Sequence, residues 1–287
     1  SGCDIVGTQE DFDNHDSLAQ AMPDYEYQTL SSGSLPLGDG LNAFSKYPVY
    51  NVRRTEWELT YGVVSGSADK LAEKGILSCV VEIADDVYID LYVIHADAGI
   101  DSKSVEARKD NFRQLAEMIN SRTEDRALIL IGDYNSMYSR NLDDDLYTNL
   151  VSAAGLTDCW AELCNGGDYT YDNGNNWDPT LNESLDRVMF KSGGGIELTA
   201  VSYEYLQFIN EDGETYTDHS PVKAAISYKV TGCTSVPAEL TTETPIDRTQ
   251  RQSDEFKAIL DSFILIVSNL DELFYLLGQG IDLLFSN

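Results

Sequence analysis

The sequence is poor in basic residues. Its 287 residues include 19 lysines and arginines against 49 aspartates and glutamates, a formal charge of −30 at pH 7. The average field of such a chain repels nucleic acids and anionic membranes, unless a local basic patch or a bound cation reverses it. Clustered acids also suit divalent cations, although a solvated acidic surface is the simpler explanation. The composition therefore argues against a general polyanion-binding protein.

Long apolar runs and metal-type cysteine pairs are also missing. No uninterrupted apolar stretch reaches the roughly 18 residues that a membrane helix needs, so the sequence predicts no transmembrane segment. The five cysteines contain no Cys-x-x-Cys spacing, which excludes the common zinc-ribbon pattern. Cys159 and Cys164 are close enough in sequence to form a bridge, which the sequence leaves open. Cysteine usage and acidity together favour an extracellular or cell-surface bacterial location.

Strand-like and helical patterns alternate over most of the chain, which is 42% hydrophobic and can form a sizeable core. The predicted strands lie within 3–9, 40–46, 76–84, 88–96, 127–135, 185–192, 199–205 and 221–230. A helix is predicted over 102–122, with Ser102 or Ser104 as its cap, and another over 143–155, ending at Gly155. Strands mixed with helices in this way predict an α/β sandwich.

The composition changes after residue 233 and predicts three regions. Residues 1–233 form the main domain, and residues 234–255 are polar, contain Thr and Pro, and are predicted to be a linker. Residues 256–287 are predicted to be an apolar helical tail. This tail would pack on the domain or on a partner, or attach to a membrane interface.

Polar residues follow or precede the apolar runs where strands are predicted to end. The chain has only three histidines, and two of them belong to this set; the third, His15, lies in an acidic stretch and is predicted to be solvated. Strand ends hold side chains rigidly enough for chemistry, and carboxylates beside imidazoles indicate a metal site next to a general base. The candidate residues are Glu10, His95, Asp133, Asn135, Asp186, Asp218 and His219.

Six segments occur in the order that is typical of one superfamily: TQED, GDGLNAFSKYP, VIHADAG, IGDYNS, SLDRVMF and TDHSPV. Over residues 4–230 the chain resembles the DNase I-like endonuclease/exonuclease/phosphatase superfamily. The resemblance implies a four-layer α/β/β/α sandwich and Mg²⁺-dependent cleavage of a phosphate ester, with Mn²⁺ or Ca²⁺ as alternative ions. The family's first strand, which carries an Asn that helps to hold the metal, is missing from the expected place before residue 4.

One branch of the superfamily is closer than the others. A Lys-Gly before a long strand, and an acidic-serine segment with an Arg after the histidine, resemble the bacterial neutral sphingomyelinase (phospholipase C-type) branch. In this comparison Lys74 and Arg108 would contact the substrate. Two features differ from that branch: the middle residue of GDYNS is unusual for it, and no aromatic hairpin is obvious.

The resemblance assigns the metal ligands. Glu10 would be the principal Mg²⁺ ligand. Asp133, Asn135 and Asp218 would hold the ion, a second metal, the water or the phosphate. We expect Asp133 and Asn135, two residues apart on an extended chain, to point to the same side.

The resemblance also assigns the catalytic roles. His219 would be the general base that takes a proton from the attacking water, and the preceding Asp218 would orient it. His95 would donate to a phosphate oxygen or assist the leaving group, and Asp186 would fix one of the two histidines.

The predicted function is therefore a sphingomyelinase-like phosphodiesterase that meets the membrane peripherally, with a lipid headgroup favoured over nucleic acid as substrate. Three alternatives remain open at this point. A nuclease or a small-molecule or inositol phosphatase would share the site, and a non-catalytic binding protein would use the acidic surface and the apolar tail.

Overall fold

A computed structural model describes residues 2–12, 15–32, 38–61, 74–138, 144–170, 185–210 and 212–243. The strands are β1 Ile5–Thr8, β2 Tyr27–Gln28, β3 Asn42–Ser45, β4 Val49–Glu56, β5 Gly75–Ala84, β6 Val87–His95, β7 Leu128–Asp133, β8 Thr157–Asp158, β9 Asp186–Lys191, β10 Ile196–Tyr205 and β11 Val222–Val230. The helices are α1 His15–Ala21, α2 Ser102–Asn120, α3 Ser152–Ala154 and α4 Cys159–Cys164, with a π-helical turn at Tyr147–Val151 before α3.

The central sheet has six strands in the order β4-β5-β6-β7-β9-β8. Strands β6 and β7 are parallel, and α2 is the crossover between them. All nine residues of β6 are buried, because helices cover one face of the sheet and further strands cover the other. A strand covered on both faces carries a nearly continuous apolar run, as β6 does.

Helix α2 covers the first face of this sheet. Phe112, Leu115 and Ile119 of α2 are buried in the cluster that includes Tyr92 and Leu130 of the sheet. The prediction of the helix is confirmed, but its cap was predicted wrongly. Asp101 is the N-cap, because its carboxylate accepts the backbone N–H groups of residues 103 and 104.

The second face packs against two smaller sheets, with orders β1-β3-β2 and β10-β11. Helix α1 lies outside them, where His15 contacts the ring of Phe44 on β3. The layers therefore run helix, sheet, sheet, helix, and the predicted four-layer sandwich is confirmed. His15 is 8% exposed, and its Nδ1 lies 2.7 Å from Asp11 Oδ2, so the prediction that it is solvated was wrong.

All eight predicted strands are present, but β4, the two-residue strands β2 and β8, and the short helices α1 and α4 were missed. The predicted helix over 143–155 is found as the π-helical turn and α3. It ends at Gly155, whose φ of 67° is the left-handed conformation that glycine adopts most readily. Cys159, at the start of α4, is buried and forms no disulfide.

The first part of the predicted linker lies against the domain. Asn51 Nδ2 donates to the carbonyl of Glu239, and Glu243 Oε2 accepts the backbone N–H of Leu30. The rest of the linker and the predicted tail, 244–287, lie outside the described residues, so the domain boundaries stay predictions. Within the described ranges, no helix is both long and apolar enough to cross a membrane.

Candidate active site

Three predicted site residues lie side by side at one end of the central sheet. In the register of β6, β7 and β9, His95 pairs with Asp133, and Asp133 pairs with Asp186. Paired residues on neighbouring strands project from the same face of a sheet. Here that face packs against the second layer, because Val93, Ile131 and Val188, two residues along each strand, contribute to the core between the sheets.

A glycine allows these strands to pack closely beside the site. A Cβ at Gly132 would lie 2.2 Å from the carbonyl oxygen of Ile94 on β6. No L side chain fits at that distance, so a glycine immediately before Asp133 keeps β7 paired with β6.

Asp133 is the centre of the contacts. Its Oδ2 lies 3.3 Å from His95 Nε2 and 3.9 Å from His219 Nε2, and it accepts Asn135 Nδ2 at 3.0 Å. Burial raises the pKa of Asp133, but the hydrogen bond and charge of His95, the charge of His219 and the amide of Asn135 lower it to about 2 overall. Asp133 therefore stays ionised near neutral pH and supplies a buried negative charge.

Asn135 reaches Asp133 by a different geometry from the one predicted. Its φ is +49°, so the backbone turns at this residue instead of continuing as an extended strand. The turn brings the backbone N–H of Asn135 to 2.7 Å from Asp133 Oδ1. The predicted same-side alternation was wrong, and the proximity comes from this turn.

His219 comes from the second layer, just before β11, and pairs with Asp186. Its Nδ1–H donates to Asp186 Oδ2 at 2.7 Å. This hydrogen bond raises the pKa of His219 to about 9; burial opposes the shift, and the charges of Asp186, Asp133 and Asp218 add to it. Burial raises the pKa of Asp186. The pair holds a proton between β9 and β11, and it leaves His219 Nε2 directed towards Asp133.

His95 and Glu10 complete the cluster. His95 is 2% exposed, and its Nδ1 is buried without a hydrogen-bond partner in the described part of the chain. The Nε2 of His95 lies 4.0 Å from Glu10 Oε1, and the side chain of Glu10 is 71% exposed. Glu10 therefore stands at the solvent rim of the site, two residues after β1 ends.

The residues present fit a divalent cation. Asp133, Asp186 and His219 offer ligand atoms that all lie within 4.8 Å of one another. The carboxylate oxygens of this group suit Mg²⁺ or Mn²⁺. Glu10, predicted as the principal ligand, lies outside this group of three but next to it.

Three further predicted residues lie around this cluster. Asp218 is exposed, and Asp186 provides the carboxylate that bonds His219, as predicted for one of the two histidines. The orienting role of Asp218 stays a prediction. Lys74 is buried immediately before β5, whose Ile76 pairs with Ile94, so it lies at the His95 end of the sheet. Its contact with substrate stays a prediction.

Arg108 has no exposed surface. Its Nε donates to Asp144 Oδ2 at 2.7 Å, and its Nη1 donates to the carbonyls of Asp97 and Gly99. Asp144 also accepts Ser136 Oγ. The guanidinium therefore joins the loops that follow β6 and β7. Its predicted contact with substrate stays a prediction.

The sequence did not reveal these supporting residues. Trp57 Nε1 donates to the carbonyl of His95 at 2.7 Å, from 38 positions earlier in the chain. Asp144 is likewise 36 residues away from Arg108. No local pattern marks such pairs, because only the position of β4 in the sheet and the packing of α2 on it bring them together.

Comparison with known proteins gives the same fold and several proteins of similar sequence. No protein-family model matches the chain. Curated sphingomyelinases of Mycobacterium tuberculosis and Mycobacterium bovis are 29% identical to it over 238 residues. The match covers 78% of this chain but 45% of theirs, so the chain spans less than half the length of these relatives.

Solved structures show the fold. A humanized D. rerio TDP2 superposes with a TM-score of 0.61 at 16% identity, covering 78% of this chain and 85% of that one. Sphingomyelinase C from Streptomyces griseocarneus superposes with a TM-score of 0.53 at 20% identity, covering 78% and 86%. The chain has the DNase I-like endonuclease/exonuclease/phosphatase fold. Within it, the chain resembles the sphingomyelinases.

Proposed function

We propose that this protein is a divalent-metal-dependent phosphodiesterase of the sphingomyelinase type. The observation that carries the proposal is the convergence of Asp133, Asp186, His95 and His219 from β6, β7, β9 and the start of β11. Two histidines with two carboxylates, beside an exposed Glu10, supply proton transfer and cation binding at one place.

In this proposal Asp133 and Glu10 hold the cation, preferably Mg²⁺, and Asp186 is a further oxygen donor. When bound there, the cation would neutralise charge on the phosphate and, by repelling the imidazolium, would lower the pKa of His219 into the range of a general base. His219 then accepts the proton of the attacking water at Nε2. Asp186 holds the ring at Nδ1 and stabilises the charge that develops on it.

His95 faces the same space from β6. Its Nε2 points towards Asp133 and Glu10, so the ring is placed to donate to a phosphate oxygen or to the leaving group. Asn135 holds Asp133 through two hydrogen bonds and thereby fixes the carboxylate for water or cation. Such fixed donors and acceptors make in-line displacement at phosphorus efficient.

The 29% identity to curated sphingomyelinases favours a lipid headgroup phosphodiester as substrate, met peripherally at a membrane. The charge of −30 also favours a lipid substrate, because it repels a nucleic acid but not a zwitterionic headgroup. The similarity to these bacterial sphingomyelinases, together with the acidity and cysteine usage, favours a secreted or cell-surface bacterial protein.

A nucleic-acid phosphodiester is the second candidate. D. rerio TDP2 in complex with a single-strand DNA product shares the fold with a TM-score of 0.55, at 14% identity. The shared fold permits this substrate, and the net negative charge opposes it.

The test is hydrolysis of bis-p-nitrophenyl phosphate and release of phosphocholine from sphingomyelin, each with Mg²⁺ and with EDTA. We expect metal-dependent turnover of both, and a loss of about 100-fold or more in His219→Ala, because a general base contributes on this order. Asp212→Asn, an exposed change in the loop before His219, is the matched control and should retain full activity.

Each outcome decides between the candidates. Turnover of single-stranded DNA but not of sphingomyelin would move the proposal to the second substrate. Folded protein with no metal-dependent turnover of any phosphodiester would overturn the enzymatic proposal and leave the binding-protein alternative. Equal activity of His219→Ala and wild type would overturn the assignment of His219 as the general base.

A further inference from the structure

Glu10 reaches the rim of the active site from a turn just after β1. Its φ is +57°, in the left-handed region that residues other than glycine rarely adopt. The contact of its Oε1 with His95 Nε2, at 4.0 Å, is too long for a hydrogen bond. The place of its carboxylate therefore depends on what holds the backbone of this turn, because such a conformation persists only where the surrounding structure maintains it.

The next residue, Asp11, is anchored by its side chain. Its Oδ2 accepts Asn42 Nδ2–H at 2.9 Å and His15 Nδ1–H at 2.7 Å. The side chain of Asp11 is 3% exposed, and its Oδ1 is buried without a hydrogen-bond partner in the described part of the chain. One carboxylate oxygen thus joins this turn to β3 and α1, and no step of the proposed reaction uses it.

Asn42 is itself held in the orientation that this contact needs. On β3 it pairs with Thr8, the last residue of β1. Its Oδ1 accepts Thr29 Oγ1–H and Arg54 Nη2–H, each at 3.2 Å. Two donors on the oxygen side of the amide turn its nitrogen, which only donates, towards the carboxylate of Asp11. Asp11 is therefore anchored to a side chain that its own neighbours keep in one orientation.

The backbone of the turn is also enclosed by the loop before β3. The backbone N–H of Asp11 donates to the carbonyl of Gly40 at 3.0 Å. A Cβ at Gly40 would lie 3.0 Å from the Cα of Glu10. The loop thus packs directly on the turn, and a displacement of Asp11 against it would move Glu10 as well.

We propose that Asp11 is a positioning residue for Glu10. Its hydrogen bonds to Asn42 and His15 hold the turn, and the turn directs the carboxylate of Glu10 towards the cation. The inference rests on the proposed function, in which Glu10 and Asp133 hold a divalent cation. Replacing a residue that orients a metal ligand commonly costs about 10-fold to 100-fold in metal affinity.

The first test is the affinity of the full chain for Mn²⁺, measured by isothermal titration calorimetry. Asp11→Ala removes the acceptor and should weaken binding by about 10-fold or more. Asp11→Asn keeps an oxygen in the place of Oδ2 and should retain most of the affinity, because both hydrogen bonds still form. Asp16→Asn, an exposed change on α1, is the control for a lost negative charge and should bind Mn²⁺ as wild type does.

The outcomes separate the inference from the proposed function. Equal affinities of Asp11→Ala and wild type would overturn the inference alone. Equal losses in Asp11→Ala and Asp11→Asn would show that Asp11 acts by its charge, against a positioning role. A folded wild type that binds no Mn²⁺ would remove the proposed function and the inference together.

The second test asks whether Asp11 acts through Glu10. Glu10→Gln should weaken Mn²⁺ binding, and adding Asp11→Ala to it should weaken binding by less than about twofold more, because two residues that act as one unit are not additive. A merely structural loss would instead weaken binding in both backgrounds alike. A full additional loss in the double variant would therefore contradict the inference.

His15→Ala carries the same test if Asp11→Ala does not fold. It removes one of the two donors and leaves the bond between Asn42 and Asp11. We expect it to weaken Mn²⁺ binding measurably in the wild-type background and not in Glu10→Gln. An affinity equal to that of wild type would count against the inference. Both tests measure metal binding, so neither depends on catalysis.

Discussion

At the scale of single residues, the pair of His219 and Asp186 determines how the site responds to pH. The pKa of His219 is raised from 6.5 to about 9, chiefly by its hydrogen bond to Asp186. A raised pKa means that the pair stabilises the metal-free fold fully below pH 6.5. This stabilisation is lost as the pH rises through about 9.

Asp186→Asn should lower the pKa of His219 from about 9 towards 6.5, because the charged acceptor is replaced by a neutral one. The measurement is an NMR titration of the imidazole proton signals in the presence of EDTA. Asp218→Asn removes only a more distant charge, so it should lower the pKa of His219 by less. An unchanged titration in Asp186→Asn would show that another group sets the pKa.

At the scale of elements, Arg108 of α2 joins the loops that follow β6 and β7. Its guanidinium and Asp144 are almost completely buried, so neither charge can turn to water when its partner is lost. The pair therefore links the helix to the loops at the ends of β6 and β7, the strands that carry His95 and Asp133.

Arg108→Met should lower the free energy of unfolding by about 3–5 kcal/mol, because Asp144 is left as an uncompensated buried charge. Urea unfolding measures this loss. Arg113→Met on the same helix removes an exposed arginine and should cost no more than about 0.5 kcal/mol. If Arg108→Met proved as stable as Arg113→Met but bound substrate more weakly, the arginine would have the substrate role that the sequence predicted.

At the scale of the whole molecule, the charge of −30 affects how strongly charged molecules are repelled. Its field extends over a Debye length of about 30 Å at 0.01 M salt and about 8 Å at 0.15 M. A polyanion is therefore repelled most at low salt, while a zwitterionic lipid in neutral micelles meets little repulsion.

Raising the salt from about 0.01 to 0.15 M should increase kcat/KM for any single-stranded DNA cleavage by roughly tenfold, because repulsion is screened. Phosphocholine release from sphingomyelin in neutral micelles should change by less than about twofold over the same range. Initial rates at fixed Mg²⁺ measure both. DNA cleavage that decreases with salt would instead reveal a local basic surface.

The sequence by itself determined the elements that depend on local pattern. Apolar runs predicted eight strands and the 3.6-residue period predicted α2, because burial imposes these patterns directly. The ordered motifs also indicated the superfamily, and they named Asp133, Asp186, His95 and His219 before any of these residues was shown to be close to another.

Only the tertiary structure decided which of the candidates meet. The register of β6, β7 and β9 places His95, Asp133 and Asp186 in one row, and the second layer brings His219 to them. The same packing buries Arg108 and leaves Asp218 exposed. These contacts join residues tens of positions apart. Local sequence does not encode them, because their energies depend on surfaces that exist only once the layers have packed.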